Sequence, residues 1–159
     1  MCLNWPRAAR VAAPFLVATA LLIAGLVHPA VGMRRDTLKL VTSQGVREIS
    51  IELTESPQEK ATGLMFRTSL SDNAGMLFYY DTPQEITMWM RNTYIPLDMV
   101  FIRADGRVHR IEPWTVPLSE EIVASRGDVT ACLELAGGAA ERLGLKIGDR
   151  IEYPLFGEK

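Results

Sequence analysis

Residues Glu48 to Thr54 read Glu-Ile-Ser-Ile-Glu-Leu-Thr, and their strict alternation decides the fold class. Ile49, Ile51 and Leu53 fall on one face, and Glu48, Ser50 and Glu52 on the other. Successive side chains of an extended chain point to opposite sides, so this pattern is that of a half-buried strand. Outward from this segment, similar short runs recur at Thr37 to Thr42, Met76 to Tyr80, Ile86 to Arg91, Leu97 to Arg103, Arg107 to Glu112, Val129 to Leu135 and Arg150 to Pro154. About eight short strands predict a mainly β fold, a compact antiparallel barrel or sandwich. Ala104, Asp105 and Gly106 separate two of the runs, and an Asp-Gly step tolerates the backbone angles of a tight hairpin.

Helices are few and well punctuated. Ser56 as N-cap, Pro57 at the first helical position and Glu59 closing a capping box predict a helix that runs to about Arg67. A second short helix is expected over Ala139 to Leu143, stopped by Gly144. The stretch from Pro113 to Asp128 has little periodicity and is long for a connection in a compact domain. It reads as a connector between strands, with a lid or binding loop as the alternative.

Arg7 and Arg10 precede a charge-free apolar stretch from Val11 to Val27, and small residues follow at Ala30 and Gly32. This is the pattern of a secretory signal over residues 1–32, cleaved after Gly32, and it places the protein outside the cytoplasm, in the periplasm or beyond the cell. An uncleaved anchor is the competing reading, because the run approaches the length of a membrane span. Cys2 has no lipoprotein-type context, so no stable membrane anchor is expected after cleavage. Residues 33–159 then form a single domain, long enough to bury its own core. Of the 17 basic residues two leave with the signal, while all 19 acidic ones stay, for a mature net charge of about −4. A nucleic-acid partner is not expected, since a phosphate binder needs a basic face. Cys132 is the one cysteine left, which excludes an intramolecular disulfide.

Candidate functional residues gather around Met88 to Phe101, where two apolar segments flank a loop rich in hydrogen-bonding groups. Alternation sets Met88 and Met90 on one face and Trp89 and Arg91 on the other. An indole beside a guanidinium suits stacking on a sugar ring or a planar anion. Asn92 and Thr93 follow, as residues that hold a turn. Asp98 shares a face with Val100 and Ile102 in an otherwise apolar strand, so it needs a partner, with Arg67 and Arg91 the available cations. Glu134, after Thr130 and Cys132, poses the same question. His109 alone remains after signal removal, so a histidine-based metal site is not expected, nor is a cofactor. Met88 and Met90 read as core filler in preference to a pair of Cu(I) ligands.

Five segments in order carry a resemblance: Gly63-Leu64-Met65-Phe66-Arg67; Gly75-Met76-Leu77-Phe78; Trp89-Met90-Arg91-Asn92-Thr93 with Pro96-Leu97-Asp98; Leu133-Glu134-Leu135-Ala136-Gly137; and Gly148-Asp149. The chain resembles the domain of unknown function 192 family (DUF192) from roughly Thr37 to Tyr153. The resemblance implies a small, mainly β, often exported protein, and it places Arg67, Trp89, Asn92, Thr93 and Asp98 in the shared pattern. It implies no reaction.

The expected function is therefore that of an extracytoplasmic, non-catalytic module binding a small polar ligand, a saccharide or cell-envelope component, through Arg67, Trp89, Arg91, Asn92, Thr93 and Asp98. Catalysis stays open. The alternatives are a hydrolase using Asp98 and Glu134, and an envelope assembly or protein-interaction module.

Overall fold

The computed structural model describes residues 33–157, so the signal expected over residues 1–32 lies outside the described residues. One sheet holds seven strands: β1 (Arg34–Thr42), β2 (Gly45–Thr54), β3 (Ala74–Met88), β4 (Leu97–Ile102), β5 (Val108–Glu112), β6 (Val123–Ala136) and β7 (Arg150–Glu152). Helix α1 (Pro57–Thr62) follows β2, and α2 (Ala139–Arg142) follows β6. Across the sheet the order is β5-β4-β6-β3-β2-β1-β7. The sheet curls until its outermost strands touch: the Val108 N–H donates to the Asp149 carbonyl at 2.9 Å, and the Ile151 N–H to the Gly106 carbonyl at 2.8 Å. This is the mainly β, barrel-like class that the alternating runs predict.

One strand pair departs from the antiparallel expectation. β2 and β3 run parallel, with Ile51 opposite Gly75. Parallel neighbours require a crossover, and α1 with the segment after it supplies one. The capping box forms as expected, with the Ser56 hydroxyl accepting from the Glu59 N–H and the Glu59 carboxylate accepting from the Ser56 N–H. The helix stops at Thr62, short of Arg67, because Gly63 takes a φ of 49°.

Two expected strands are halves of one. Met76 to Tyr80 and the first part of Ile86 to Arg91 belong to β3, which ends at Met88, short of Trp89 to Arg91, and pairs with β6 on either side of an irregularity between Tyr79 and Gln84. Pro83 falls in that interruption, having no N–H for the ladder. β6 in turn begins at Val123, inside the stretch expected to be a connector. Its first residues pair with the far half of β3, Met88 opposite Val123. The connection that remains is fastened along its length. The Thr115 N–H donates to the Leu97 carbonyl at 2.8 Å, the Leu118 N–H to that of Thr93 at 3.1 Å, and the Met90 N–H to that of Ser119 at 3.0 Å.

Two cores lie on opposite sides of the central strands. Inside the curl, Leu38, Leu40, Ile49, Ile51, Leu53, Leu77, Val100, Leu133 and Leu135 pack with Ala139 and Ala140 of α2. On the outer face, Met76, Phe78, Leu97, Met99, Phe101 and Cys132 are covered by Leu64, Met90 and their neighbours. Covered on both sides, every residue of β4 is buried. Apolar residues on both faces of a strand thus have a physical reason here, and a polar residue among them has nowhere to meet bulk water.

A candidate binding pocket on the outer face of the sheet

The turn from Met90 to Thr93 builds one wall of the site. The Thr93 N–H donates to the Met90 carbonyl at 3.0 Å, and Asn92 takes the third position with a φ of 56°. Asparagine tolerates that left-handed conformation better than most residues. The Asn92 carbonyl accepts from the Phe66 N–H at 2.8 Å, which ties the segment after α1 to this turn. Asn92 therefore does the structural work expected of it.

Trp89 and Arg91 project from this wall as a unit. The guanidinium carbon lies 4.2 Å from the centre of the indole ring, and the indole is 41% exposed. Arg91 is held by Glu120, with Nε to Oε1 at 3.0 Å and Nη2 to Oε2 at 3.3 Å. The opposite lip is the end of α1 and the residues after it, from Lys60 to Met65. Lys60 leans over the Tyr80 ring at 4.7 Å. Between the lips lies a cavity of about 30 Å³, lined also by Phe78, Met88, Thr93 and Glu134. That is room for a water-sized polar group.

Glu134 has the most unusual environment in this cavity. In the sheet it stands between Met76 of β3 and Met99 of β4, and it is only 4% exposed. Burial alone pushes its carboxyl up to about 8. At neutral pH the group keeps its proton, so it is a neutral acid able to donate one hydrogen bond and accept others. Two residues along the same face, Cys132 is fully buried and its thiol is raised well above the ordinary range by desolvation and then by Glu134. An inert, unpaired thiol results.

Of the six residues expected at the site, the structure brings Trp89, Arg91 and Thr93 to one pocket, with Asn92 shaping its wall. Arg67 and Asp98 do not join them. Arg67 Nη2 pairs with Glu52 Oε2 at 2.5 Å, against a different part of the surface. Asp98, with no exposed surface, also lacks the cationic partner expected for it. Its Oδ1 accepts from the N–H groups of Trp114 at 2.9 Å and Gly138 at 2.8 Å, and its Oδ2 from that of Ala140 at 2.9 Å. Arg67 and Arg91 are committed elsewhere, and three backbone donors take the place of a cation. Asp98 thus organises the start of α2 and the Trp114 bend. A wider groove of about 400 Å³ borders this region, but the carboxylate oxygens beneath it are already engaged.

Asp98 and Glu134 do not share a site. Asp98 is opposite Leu135, and Met99 is opposite Glu134. Directly paired residues point to the same side of a sheet and successive ones to opposite sides. Asp98 consequently faces the inner core and Glu134 the outer pocket. Among the described residues, no cluster of three or more His, Cys, Asp or Glu side chains is placed to hold a metal. Sequence reasoning missed Lys60 and Met65, since no periodic signal connects the end of a short helix to a distant turn.

A small curled β domain with a polar pocket on its outer face is thus the class that fold and site define. Residues 39–153 match the model of the DUF192 family, described as "Uncharacterized ACR", and the chain belongs to that family. Among solved structures, it is similar to a protein of unknown function from Novosphingobium aromaticivorans DSM 12444. The two are 42% identical with a TM-score of 0.75, over 80% of this chain and 91% of that one. It is also similar to a protein from Sinorhizobium meliloti 1021 described as a "putative transcription regulator". Here identity is 40% and the TM-score 0.74, over 77% of this chain and 95% of that one. No curated protein matches.

Proposed function

We propose that this protein is an exported, non-catalytic module that binds a small polar ligand, a saccharide or cell-envelope component, at the pocket between α1 and the Trp89–Thr93 turn. The observation that carries the reading is a half-exposed indole stacked with Arg91 at the mouth of a cavity floored by the unpaired Glu134 carboxyl. A flat aromatic face provides stacking area, and a few polar groups set the ligand's orientation. The hydrolase alternative loses its pair of carboxylates, which face opposite sides of the sheet. A regulator role like that ascribed to the Sinorhizobium protein would call for nucleic-acid binding, but a chain with a net charge of −2 offers little to neutralise phosphates.

Thermal-shift screening of the purified protein against saccharides and envelope fragments tests the proposal, because a ligand specific for the native state raises its Tm. Trp89→Ala should abolish the shift while leaving the unliganded Tm within a few degrees of wild type. If that substitution instead unfolds the domain, the indole is a packing element and the binding reading is abandoned.

A second reading, as an assembly or protein-interaction module, is favoured by one observation. Phe66 and Tyr94 are more than half exposed yet pack edge to face at 6.0 Å, beside the equally exposed Leu118, whose N–H donates to the Thr93 carbonyl. Phe66 and Leu118 both hold a positive φ. Such strain and apolar exposure accompany interaction surfaces. Concentration-dependent sedimentation that disappears in Leu118→Ser would support it, and an unchanged monomer would remove it.

A further inference from the structure

We propose that the pocket takes a ligand through an anionic group, a carboxylate or phosphate, held between Arg91, Lys60 and the Glu134 carboxyl. The inference rests on the binding reading above and names the ligand class for that same pocket. Both charged side chains that line the cavity mouth, Lys60 on α1 and Arg91 on the turn, are cations. Neither is spent on the acid below them: Arg91 meets the exposed Glu120, and Lys60 lies over the Tyr80 ring. Exposed ion pairs are worth little, so Arg91 is free to exchange Glu120 for a better acceptor.

The floor completes the argument. The Glu134 carboxyl has no protein hydrogen-bond partner and opens onto the cavity, so water or a ligand group placed there completes it. An ammonium group would meet two like charges at the entrance. An anionic oxygen instead meets two cations there and a proton donor at the bottom. The cavity, at about 30 Å³, admits such an oxygen and excludes a whole sugar ring, which would rest on Trp89 outside.

The proton on Glu134 is then part of the binding site. With residues 1–32 removed, the new α-amino group at Met33, packed on the same outer cluster, titrates at about 7.7 to 8.0, and Glu134→Gln separates its effect from that of Glu134. Along the Glu134 face of the sheet stand Tyr80 of β3 and Cys132 of β6, both raised, and β4 presents the apolar Leu97, Met99 and Phe101. Lys60 from α1 and Arg91 from the turn complete the set. Asp98 belongs to the opposite face. Loss of the Glu134 proton would place a carboxylate against the ligand's own charge.

The test uses glucuronate and glucose, which differ in one carboxylate, with binding read from the Trp89 indole N–H resonance and by calorimetry at pH 6 and pH 9. Glucuronate should bind at pH 6 and glucose at least ten-fold more weakly. At pH 9 about one molecule in eleven retains the Glu134 proton, so glucuronate affinity should fall about ten-fold. Glu134→Gln, which keeps a neutral donor, should bind at pH 6 and lose the pH dependence. Arg91→Ala should lose glucuronate binding at both values. Equal binding of the two sugars would overturn the anion inference and leave the pocket reading standing. Absence of any shift at Trp89 with either sugar would overturn both. Wild-type binding that is unchanged from pH 6 to pH 9 would remove the proton of Glu134 from the site.

Discussion

Asp98 offers the sharpest test of the structure, because a single carboxylate holds three backbone donors from two separate segments. The Trp114 N–H belongs to the bend after β5, while those of Gly138 and Ala140 open α2. With the carboxylate gone, none has a neighbouring helical or sheet partner to fall back on. Leaving a buried donor unsatisfied costs about 1 to 3 kcal/mol, so Asp98→Ala should destabilise the protein by about 2 to 6 kcal/mol through the two buried donors, Gly138 and Ala140. That is a large share of the roughly 5 to 15 kcal/mol that holds an ordinary domain together, so Asp98→Asn is measured beside it as the milder variant. The amide keeps the shape. One of its two ends must turn N–H groups toward a backbone donor, and placing them toward Ala140 spares the two bonds at Oδ1. Asp98→Asn should therefore cost about 1 to 3 kcal/mol, equivalent to one lost donor. Urea unfolding, with the midpoint and slope fitted for each variant, measures both. Changes within about 0.5 kcal/mol, as at an ordinary surface position, would show that Asp98 does not organise α2.

Glu134 makes stability depend on pH with a defined sign. Its carboxyl titrates at about 8 in the folded protein and in the ordinary range near 4 when unfolded, so the native state binds the extra proton between these values. Stability should fall as pH rises through that window, by up to about 1.4 kcal/mol per pH unit, and level off above it; Glu134→Gln should flatten the curve, and an unaltered urea profile would contradict the burial argument. Gly138→Ala should destabilise by about 1 to 3 kcal/mol through its left-handed backbone. Its φ is 77°, and a new Cβ would stand 2.4 Å from Cζ2 of Trp114, so calorimetry showing an unchanged Tm would mean that the ring is not seated there. Intact-mass analysis of exported protein should find residues 1–32 removed and Cys132 in the thiol form; the full-length mass in the membrane fraction would support the anchor instead.

Local physics explains what could be read along the chain. The alternation of Glu48 to Thr54, the Ser56–Glu59 capping box and the Asp105-Gly106 turn each depend on neighbours a few residues away, so their residues sufficed to place them. That Trp89, Arg91 and Thr93 lie close together was legible for the same reason, since they are neighbours along the chain. Lys60 and Glu134, the other charged or acidic residues of that pocket, come from a helix and a strand that are distant in sequence.

Pairing across the sheet decided the rest. The long apolar run of β4 gives no sign of which side Asp98 occupies relative to Glu134, because alternation within a strand says nothing about its register against the next. One residue of slip moves every side chain to the opposite face. With Asp98 against Leu135 and Met99 against Glu134, one acid is turned into the inner core and satisfied by backbone N–H groups, and the other is turned into the outer pocket without a partner. The residue types alone determined that both acids needed an explanation; the tertiary register determined that the explanations differ.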